Sequence, residues 1–390
     1  MEIFITGRGV VSALGNNTEE NLQSLLNGQT GISKGSYSDF PEKYIGAVKL
    51  SSEELSDKHS LKDVYGRTAL LGLTAAKEAW GNNDPSSTCR TGVISGNSVG
   101  GMDRTEKHVI KLINTGQSGD IRPILAHPCG YSTGLISKII PNCEYANTIS
   151  TACSSGANSI MQAVKLIKCG RLDRVIAGGT DGLSNFTIKG FSSLMIFDEK
   201  RCRPFDANRA GLNLGEGAGY VLLENEKSLR ESGNTPLGRM SGYGIANDSF
   251  HQTALSPNGK GAVLAMHHAL DQAKLKSEEI DYINTHGTAT ENNDEVELRA
   301  IQSLFTEKVP DYSSTKSFTG HTLGASGAIE TVYSLLAIIN DCVFPSLNIK
   351  DDMNKECPAL QKLVRKNVSN VLTNSFGFGG NQTTLIVSKC

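Results

Sequence analysis

The sequence predicts a layered α/β fold built from two duplicated halves of strands and helices. Its 41 glycines cluster at the ends of strand-like runs, which is typical of tight turns between sheet and helix layers. The order of helix, strand, glycine-rich turn, strand and helix occurs twice along the chain. With 390 residues, the chain is also long enough to form two fused halves around a large core.

The first half alternates between short apolar strands and amphipathic helices. We predict strands over 1–7, 91–95, 147–149 and 174–177, and helices over 68–80 and from the turn after 149 up to 168. The second half repeats this plan. We predict strands over 282–284, 314–316, 370–373 and 383–387, and helices over 262–273 and from the turn after 316 up to 340.

We place the seam between the halves near 225–236, which gives an N-terminal half of 1–228 and a C-terminal half of 229–390. Residues 102–146 have no evident counterpart in the second half. We therefore interpret them as an insertion that forms a pocket wall or a subunit contact.

Composition excludes several function classes. The formal net charge is -2, which gives no indication of nucleic-acid binding. No apolar run reaches the ~20 residues of a membrane span, and the first residues are typical of a strand rather than a signal peptide. The nine cysteines are scattered without paired spacing, so we expect reduced thiols in a cytoplasm. No zinc motif is present, and we expect no metal site.

The most informative cysteine is Cys153, which lies between the predicted strand over 147–149 and the helix after it. The free N–H groups and the positive dipole end of a helix N-terminus stabilise a thiolate. Because the thiolate is the nucleophilic form, this position indicates covalent catalysis. Most isolated cysteines of this kind only pack, so the interpretation depends on two histidines further along.

The two histidines share the setting of Cys153. His286 follows the predicted strand over 282–284 in Asn-Thr-His-Gly-Thr, and His321 lies in Phe-Thr-Gly-His-Thr-Leu-Gly. A single histidine at a strand end is usually structural. Two of them, in corresponding parts of a duplicated fold that also holds a poised cysteine, indicate an active site.

Several motifs together give the whole chain a close resemblance to one family. They are Thr151-Ala152-Cys153-Ser154-Ser155-Gly156, Arg203-Pro204-Phe205-Asp206, Leu214-Gly215-Glu216-Gly217-Ala218-Gly219, the two histidine segments and Asn374-Ser375-Phe376-Gly377-Phe378-Gly379-Gly380. The chain resembles the β-ketoacyl-[acyl carrier protein] synthases, condensing enzymes with a thiolase-like fold of α-β-α-β-α layers. It is similar to their elongating type (I/II), because the initiating type has Asn where this chain has His321.

The resemblance implies a decarboxylative Claisen condensation. Cys153 would hold the acyl group while a malonyl thioester, carried on the phosphopantetheine of an acyl carrier protein, supplies the new carbons. His286 and His321 would hold the enolate oxygen as carbon dioxide leaves. The backbone N–H groups of Cys153 and Phe378 would form an oxyanion hole, in which each donor is worth about 3 kcal/mol.

The resemblance also assigns supporting residues. Lys316, five residues before His321, would orient that histidine, and Glu330 on the following helix would support the same network. Thr288 and Thr290 would hydrogen-bond the phosphopantetheine arm.

Two apolar residues complete the implied site. Phe378 would act as a gate between an acyl-receiving and a malonyl-receiving state, and the neighbouring glycines would permit its motion. Val99 would face the acyl tail. The resemblance implies no bound cofactor.

Three departures from the family pattern affect the substrate more than the reaction. Asn381-Gln382 stands where Thr-Asn is usual, Ala210 follows Arg209 where an Asp is common, and the stretch between 190 and 203 is shorter. A fatty-acid synthase and a synthase for an aryl polyene or other polyketide-like pigment both fit.

Two alternatives come from other classes of protein. One is a non-catalytic partner subunit like the chain-length factors, which typically lack the nucleophile that Cys153 provides. The other is a thiolase acting on coenzyme A esters, which would need a second cysteine near the C-terminus where this chain has Phe378 and Gly379.

The partners follow from the same resemblance. An acyl carrier protein is usually acidic, so we expect basic residues at the pocket mouth, with Lys62, Arg67, Lys200 and Arg201 as candidates. We expect a homodimer, the commonest assembly, and leave a heterodimer with a related subunit open.

Overall fold

The computed structural model describes residues 1–35, 42–60, 66–83 and 88–390, so the docking candidate Lys62 lies outside the described residues. The strands are β1 Phe4–Val11, β2 Ser33–Gly35, β3 Lys43–Ile45, β4 Thr91–Gly96, β5 Cys143–Ile149, β6 Arg174–Asp181, β7 Gly217–Glu224, β8 Gly238–Asn247, β9 Tyr282–Asn284, β10 Asp311–Ser313, β11 Cys342–Val343, β12 Val364–Arg365, β13 Asn370–Gly377 and β14 Asn381–Ser388.

The α-helices are α1 Thr18–Leu26, α2 Ser52–Lys58, α3 Arg67–Trp80, α4 Met102–Thr115, α5 Gly130–Ile139, α6 Ser155–Lys168, α7 Asn185–Ser193, α8 Glu226–Ser232, α9 Lys260–Ala273, α10 Glu291–Leu304, α11 Lys316–Thr319 and α12 Ser326–Ile339. Short 3₁₀ helices lie at Arg122–Ala126, Ser277–Glu279 and Leu323–Ala325. No helix within the described ranges is long and apolar enough to cross a membrane.

The two halves of the chain share one sheet topology. Ten strands form a mixed sheet in the order β10-β9-β13-β14-β8-β1-β7-β6-β4-β5, and the halves meet where β1 pairs with β8. Within each half, the spatial order is first, fifth, fourth, second and third strand. The second, third and fourth strands pair in parallel, whereas the fifth strand is antiparallel to both of its neighbours. The shared topology confirms the predicted duplication.

Helices cover the sheet in three layers. Helix α3 packs on β1, β6 and β7, and α9 packs on β8 and β14, so each half has its own outer helix. Between the halves, α6 and α12 contact each other and strands of both halves. This arrangement is the predicted α-β-α-β-α layering.

Small residues allow the two central helices to approach each other closely. A Cβ atom on Gly156 of α6 would lie 2.9 Å from the Gly324 carbonyl oxygen and 3.0 Å from the Ala328 nitrogen. The apolar residues Ile160, Met161, Val164 and Ile167 of the predicted amphipathic helix α6 are buried, whereas α12 is buried on every side from Ser326 to Ile338. The centre of the molecule is therefore a tightly packed helix pair.

The structure differs from the sequence-based expectation in two places. The third strand of the second half is β10, which ends at Ser313, because Lys316 opens helix α11 instead of ending a strand. In the segment 102–146, α5 packs on α3 as α10 packs on α9, and β5 occupies the position of β10. Only α4 and the 3₁₀ helix after it lack a counterpart, so the unmatched insertion is shorter than expected.

Replacing Gly156 tests the close helix approach. Gly156→Ala should lower the free energy of unfolding by about 1–3 kcal/mol, since the added methyl group meets backbone atoms that cannot move independently. Gly134→Ala in α5 is the matched control, because a Cβ atom there meets nothing within 4 Å. Urea unfolding followed by circular dichroism measures both variants. Equal stability of Gly156→Ala and the wild type would contradict the described packing.

Candidate active site

The nucleophile lies on a constrained turn between β5 and α6. Ala152, immediately before Cys153, has a φ of +53°, in the left-handed region that non-glycine residues rarely adopt. The turn is held by Ser155, whose hydroxyl accepts the Thr151 N–H at 2.9 Å and donates to the Ala152 carbonyl oxygen at 2.6 Å. The turn therefore presents Cys153 at the N-terminus of a central helix, as the sequence predicts.

A buried carboxylate that the sequence analysis missed fixes the backbone of His286. The Glu297 carboxylate accepts the N–H groups of His286 and Gly287, each at 2.8 Å, and the Asn374 amide at 3.0 Å. Its position between the buried Val296 and Leu298 of α10 was a usable signal, because a charge amid core positions needs partners.

Lys316 contacts His286 and not His321, so the expectation that it orients His321 is wrong. Its ammonium group donates to the His286 carbonyl oxygen at 2.6 Å, lies 3.3 Å from His286 Nδ1 and pairs with the Glu330 carboxylate. These three contacts match the three donors of the ammonium group. Because an ammonium can only donate, the contact with Nδ1 leaves the His286 proton on Nε2.

The ring of His321 is oriented by residues that follow it closely in the sequence. The Leu323 N–H donates to His321 Nδ1 at 3.2 Å, and the Ser326 hydroxyl lies 2.9 Å from the same nitrogen. The ring therefore also carries its proton on Nε2. The His286 and His321 rings stand edge to face, with centroids 5.4 Å apart.

Both imidazoles are held in the neutral form. Burial and the nearby Lys316 charge lower the pKa of His286 and of His321 well below the usual value. Burial raises the pKa of Glu330 to about 7, against the opposing effect of Lys316. Two neutral rings, each with an Nε2–H donor, can hold an oxyanion without acting as strong acids.

One cavity of about 430 Å³ brings the predicted residues together. It is lined by Cys153, His286, His321, Thr288, Thr290 and Phe378. The hydroxyls of Thr288 and Thr290 are hydrogen-bonded to each other at 2.9 Å. Lys316 and Glu330 lie behind the cavity wall, where they are almost fully buried.

Phe378, the predicted gate residue, packs against another aromatic side chain at the cavity. The Phe378 ring stacks on Phe191, with ring centroids 5.8 Å apart and 18° between the planes. Both Gly379 and Gly380, which follow it, have a φ of +83°, a conformation that favours glycine. The Gly379 N–H donates to the Gln252 carbonyl oxygen at 2.7 Å, which ties the turn to a loop at the cavity mouth.

Val99 does not line this cavity. Its side chain belongs to an apolar cluster with Leu212 and Phe191, both of which do line it, and its N–H donates to Asp181 at 3.1 Å. The expectation that Val99 faces the acyl site is therefore not met by this cavity, because Val99 packs in a cluster whose members Leu212 and Phe191 form the cavity lining instead.

The sequence analysis did not predict the structural roles of two further polar residues, Asp181 and Asn381. The buried Asp181 accepts the N–H groups of Ser98 and Gly324, at 3.1 and 2.7 Å, and so joins the end of β4 to the loop after His321. Asn381 Oδ1 accepts from Ser154 at 2.7 Å and from Asn158 at 2.8 Å, which joins β14 to the nucleophile turn. The Asn381 departure from the family pattern therefore has a structural role.

Arg67 is not available for docking. Its Nε lies 2.9 and 2.8 Å from the two carboxylate oxygens of Glu216, and its Nη2 donates to the Val48 and Leu50 carbonyl oxygens. The expectation that it lies on an exposed docking surface is therefore wrong. Across the described ranges, no group of three or more His, Cys, Asp or Glu side chains is placed to hold a metal ion.

The thiol environment differs from the expectation of a stabilised thiolate. Burial raises the pKa of Cys153 to about 11, although Lys316 and the backbone N–H groups of Phe378 and Cys153 oppose this rise. A thiol pKa raised to about 11 corresponds to about 3 kcal/mol against the thiolate, whereas a helix N-terminus typically contributes about 1 kcal/mol in its favour. The effect of burial on the thiol pKa is therefore larger than the effect of the helix N-terminus. The two N–H groups face the sulfur, where an oxyanion hole would be needed.

The pH dependence of alkylation tests this balance. The Cys153 thiol is neutral below its raised pKa, so its alkylation by iodoacetamide should accelerate about tenfold per pH unit from pH 7 towards 11. Peptide-resolved mass spectrometry separates Cys153 from the exposed Cys169, the internal control. If the rate of Cys153 alkylation instead reaches its plateau below pH 8, the helix N-terminus stabilises the thiolate more than burial destabilises it.

Comparisons with known proteins identify the family of the chain. The model of the beta-ketoacyl synthase N-terminal domain matches residues 1–228, and that of the C-terminal domain matches residues 237–350. The chain is 34% identical to a putative mitochondrial 3-oxoacyl-[acyl-carrier-protein] synthase of Schizosaccharomyces pombe, with 99% of each chain covered. It is also 34% identical to 3-oxoacyl-[acyl-carrier-protein] synthase 2 of Coxiella burnetii, covering 99% of this chain and 98% of that protein.

Solved structures give the same result for the fold. The ishigamide ketosynthase/chain length factor superposes with a TM-score of 0.92 at 27% identity, over 100% of this chain and 99% of that one. A ketosynthase in complex with its chain length factor from Xenorhabdus doucetiae superposes with a TM-score of 0.86 at 30% identity, over 100% and 98%. The chain thus has the thiolase-like fold of the ketosynthases and belongs to the β-ketoacyl synthase family of condensing enzymes.

Proposed function

We propose that the chain is a β-ketoacyl-[acyl carrier protein] synthase that joins an acyl group on Cys153 to a malonyl thioester with loss of carbon dioxide. The observation that carries the proposal is one cavity lined by a cysteine and two histidines with Nε2–H donors. The mechanism needs no metal or nucleotide.

The first step transfers the acyl group to the enzyme. The Cys153 sulfur attacks the thioester carbonyl, and the N–H groups of Cys153 and Phe378 stabilise the tetrahedral oxyanion. The carbon–sulfur bond to the carrier then breaks. The proton of the Cys153 thiol ends on the departing pantetheine thiol, so charge and protons balance.

The second step forms the carbon–carbon bond. The malonyl carboxylate leaves as carbon dioxide, and the electron pair of the broken bond enters an enolate whose oxygen accepts from the Nε2–H groups of His286 and His321. The enolate carbon attacks the acyl carbonyl on Cys153. The resulting tetrahedral intermediate collapses, breaks the bond to sulfur and leaves a thiolate that takes up one proton.

The neutral state of both histidines suits this role. An imidazolium would transfer its proton to the enolate and quench the nucleophilic carbon. A neutral Nε2–H stabilises the oxygen while its proton stays on the ring. The threonine pair Thr288 and Thr290 lines the cavity, and its hydroxyl groups can hydrogen-bond the amides of a phosphopantetheine arm.

The alternatives receive less support. A non-catalytic chain-length-factor-like subunit has no need of a buried network that fixes both imidazoles. A coenzyme A thiolase would need a second catalytic cysteine, and Cys153 is the only cysteine among the described residues that line the cavity. Fatty-acid and polyketide-type or aryl-polyene substrates both remain compatible with the site.

We infer that a second subunit, either a copy of this chain or a related one, covers α4. Helix α4 exposes Ile113 at 75%, and the segment after it exposes Ile121 at 62% and Leu125 at 70%. The 3₁₀ helix of that segment packs on α4, and large exposed apolar side chains on neighbouring elements mark a protein interface. The nine free cysteines fit a reducing cytoplasm.

Substitutions separate the two steps. Cys153→Ala should abolish the acyl adduct and condensation, because it removes the acyl holder. His286→Ala and His321→Ala should each slow decarboxylation of malonyl-carrier protein by about 10²–10³, as for loss of one oxyanion donor. His267→Ala, on the exposed side of α9, is the control.

The measurements are the mass of the acyl-enzyme and the release of carbon dioxide. Unchanged decarboxylation in both active-site histidine variants would refute the enolate role. An acyl adduct on a cysteine other than Cys153 would refute the assignment of the nucleophile.

A further inference from the structure

Helix α7 connects the surface helix α4 to the active-site cavity. The two helices are in contact, and a cleft of about 300 Å³ beside them is lined in part by Glu106 of α4 and Asn185 of α7. Further along, Phe191 of α7 and Leu194 after it line the active-site cavity. Asn185 and Phe191 lie about 9 Å apart along the helix axis. A displacement at the α4 end can therefore reach the cavity through one short helix.

The Glu106 carboxylate holds the start of α7 from outside that helix. It accepts the N–H groups of Asn185 at 3.0 Å and of Phe186 at 2.9 Å, one on each oxygen. The first four N–H groups of a helix have no partner within the helix, and here the other two, those of Ser184 and Thr187, donate to each other's hydroxyl groups. The negative charge of Glu106 also faces the positive dipole end of α7, which strengthens both hydrogen bonds.

Beyond its first turn, α7 supports one of the oxyanion donors. Ile188 is buried in the apolar cluster that Phe191 packs against. The Phe191 ring stacks on the Phe378 ring, with centroids 5.8 Å apart. The Phe378 N–H in turn faces the Cys153 sulfur. The position of α7 therefore sets the surface against which the turn between β13 and β14 packs.

The two active-site histidines are held by other elements. Lys316 and Glu297 fix His286, and the Leu323 N–H orients the ring of His321. None of these contacts involves α7. A displacement of α7 would therefore disturb the oxyanion donor between β13 and β14 and leave the two Nε2–H donors in place.

We propose that Glu106 is a positioning residue for acyl transfer to Cys153. By holding the start of α7, it keeps Phe191 against Phe378 and so keeps the Phe378 N–H in place over the sulfur. The inference rests on the proposed function, in which that N–H stabilises the tetrahedral oxyanion. Glu106 is not among the residues that line the active-site cavity, so it acts through α7 and not on the substrate.

Removal of the carboxylate tests the proposal. Glu106→Ala should slow the acylation of Cys153 by acetyl-pantetheine by about three- to tenfold, the range for loss of a helix cap, and leave the decarboxylation of malonyl-carrier protein at the wild-type rate. Glu106→Gln keeps one acceptor oxygen and should recover part of the loss. Glu54→Ala is the matched control, because the Glu54 carboxylate accepts the Ser51 N–H at the start of α2, and no described α2 residue lines the cavity.

A double-mutant cycle tests the route through α7. Phe191→Ala removes the stacked ring, so adding Glu106→Ala to it should slow acylation little further. Additive effects of the two substitutions, equal slowing of acylation and decarboxylation by Glu106→Ala, or unchanged acylation in both Glu106 variants would overturn the proposal. Failure of the wild type to form an acyl adduct with either acetyl-pantetheine or hexanoyl-pantetheine would instead refute the proposed function.

Discussion

The active site depends on one buried ammonium group. Lys316 is 2% exposed, and each of its three donors has a partner: the Glu330 carboxylate, the His286 carbonyl oxygen and His286 Nδ1. A buried charge of this kind is tolerated only when it is paired and hydrogen-bonded. Burial lowers the pKa of His286 and of His321, and the Lys316 charge lowers both further, so the two rings stay neutral. The contacts of the Lys316 ammonium group therefore hold the site together and also help to set the protonation state of its two histidines.

Duplication explains how the reacting groups meet. Cys153 precedes central helix α6 and His321 precedes central helix α12, at corresponding points of the two halves. Because α6 and α12 pack against each other through small residues such as Gly156, their N-termini open into one cavity. His286 joins them from the end of β9, where Glu297 fixes its backbone. A catalytic set that is dispersed over the sequence is therefore compact in space.

The sequence predicted the layers, the duplication and the turns that carry Cys153, His286 and His321, because glycine-rich strand ends leave a local pattern. It could not predict contacts that only tertiary structure creates. The family resemblance implied that Lys316 orients His321, yet its partner is His286, 30 residues away. Glu297 was missed, because its partners, the N–H groups of His286 and Gly287, are brought to it only by the fold. The position of Cys153 before a helix predicted a stabilised thiolate, but burial, which only the structure shows, raises the pKa of the thiol.

The protonation state of the two active-site histidines tests the central claim most directly. Nitrogen-15 NMR of histidine-labelled protein should show both rings neutral, with the proton on Nε2, at every pH from 8 down to 5, while exposed histidines such as His267 serve as the internal reference. Titration of His286 or His321 with a midpoint near the usual value of about 6.5, or a proton on Nδ1, would contradict the account.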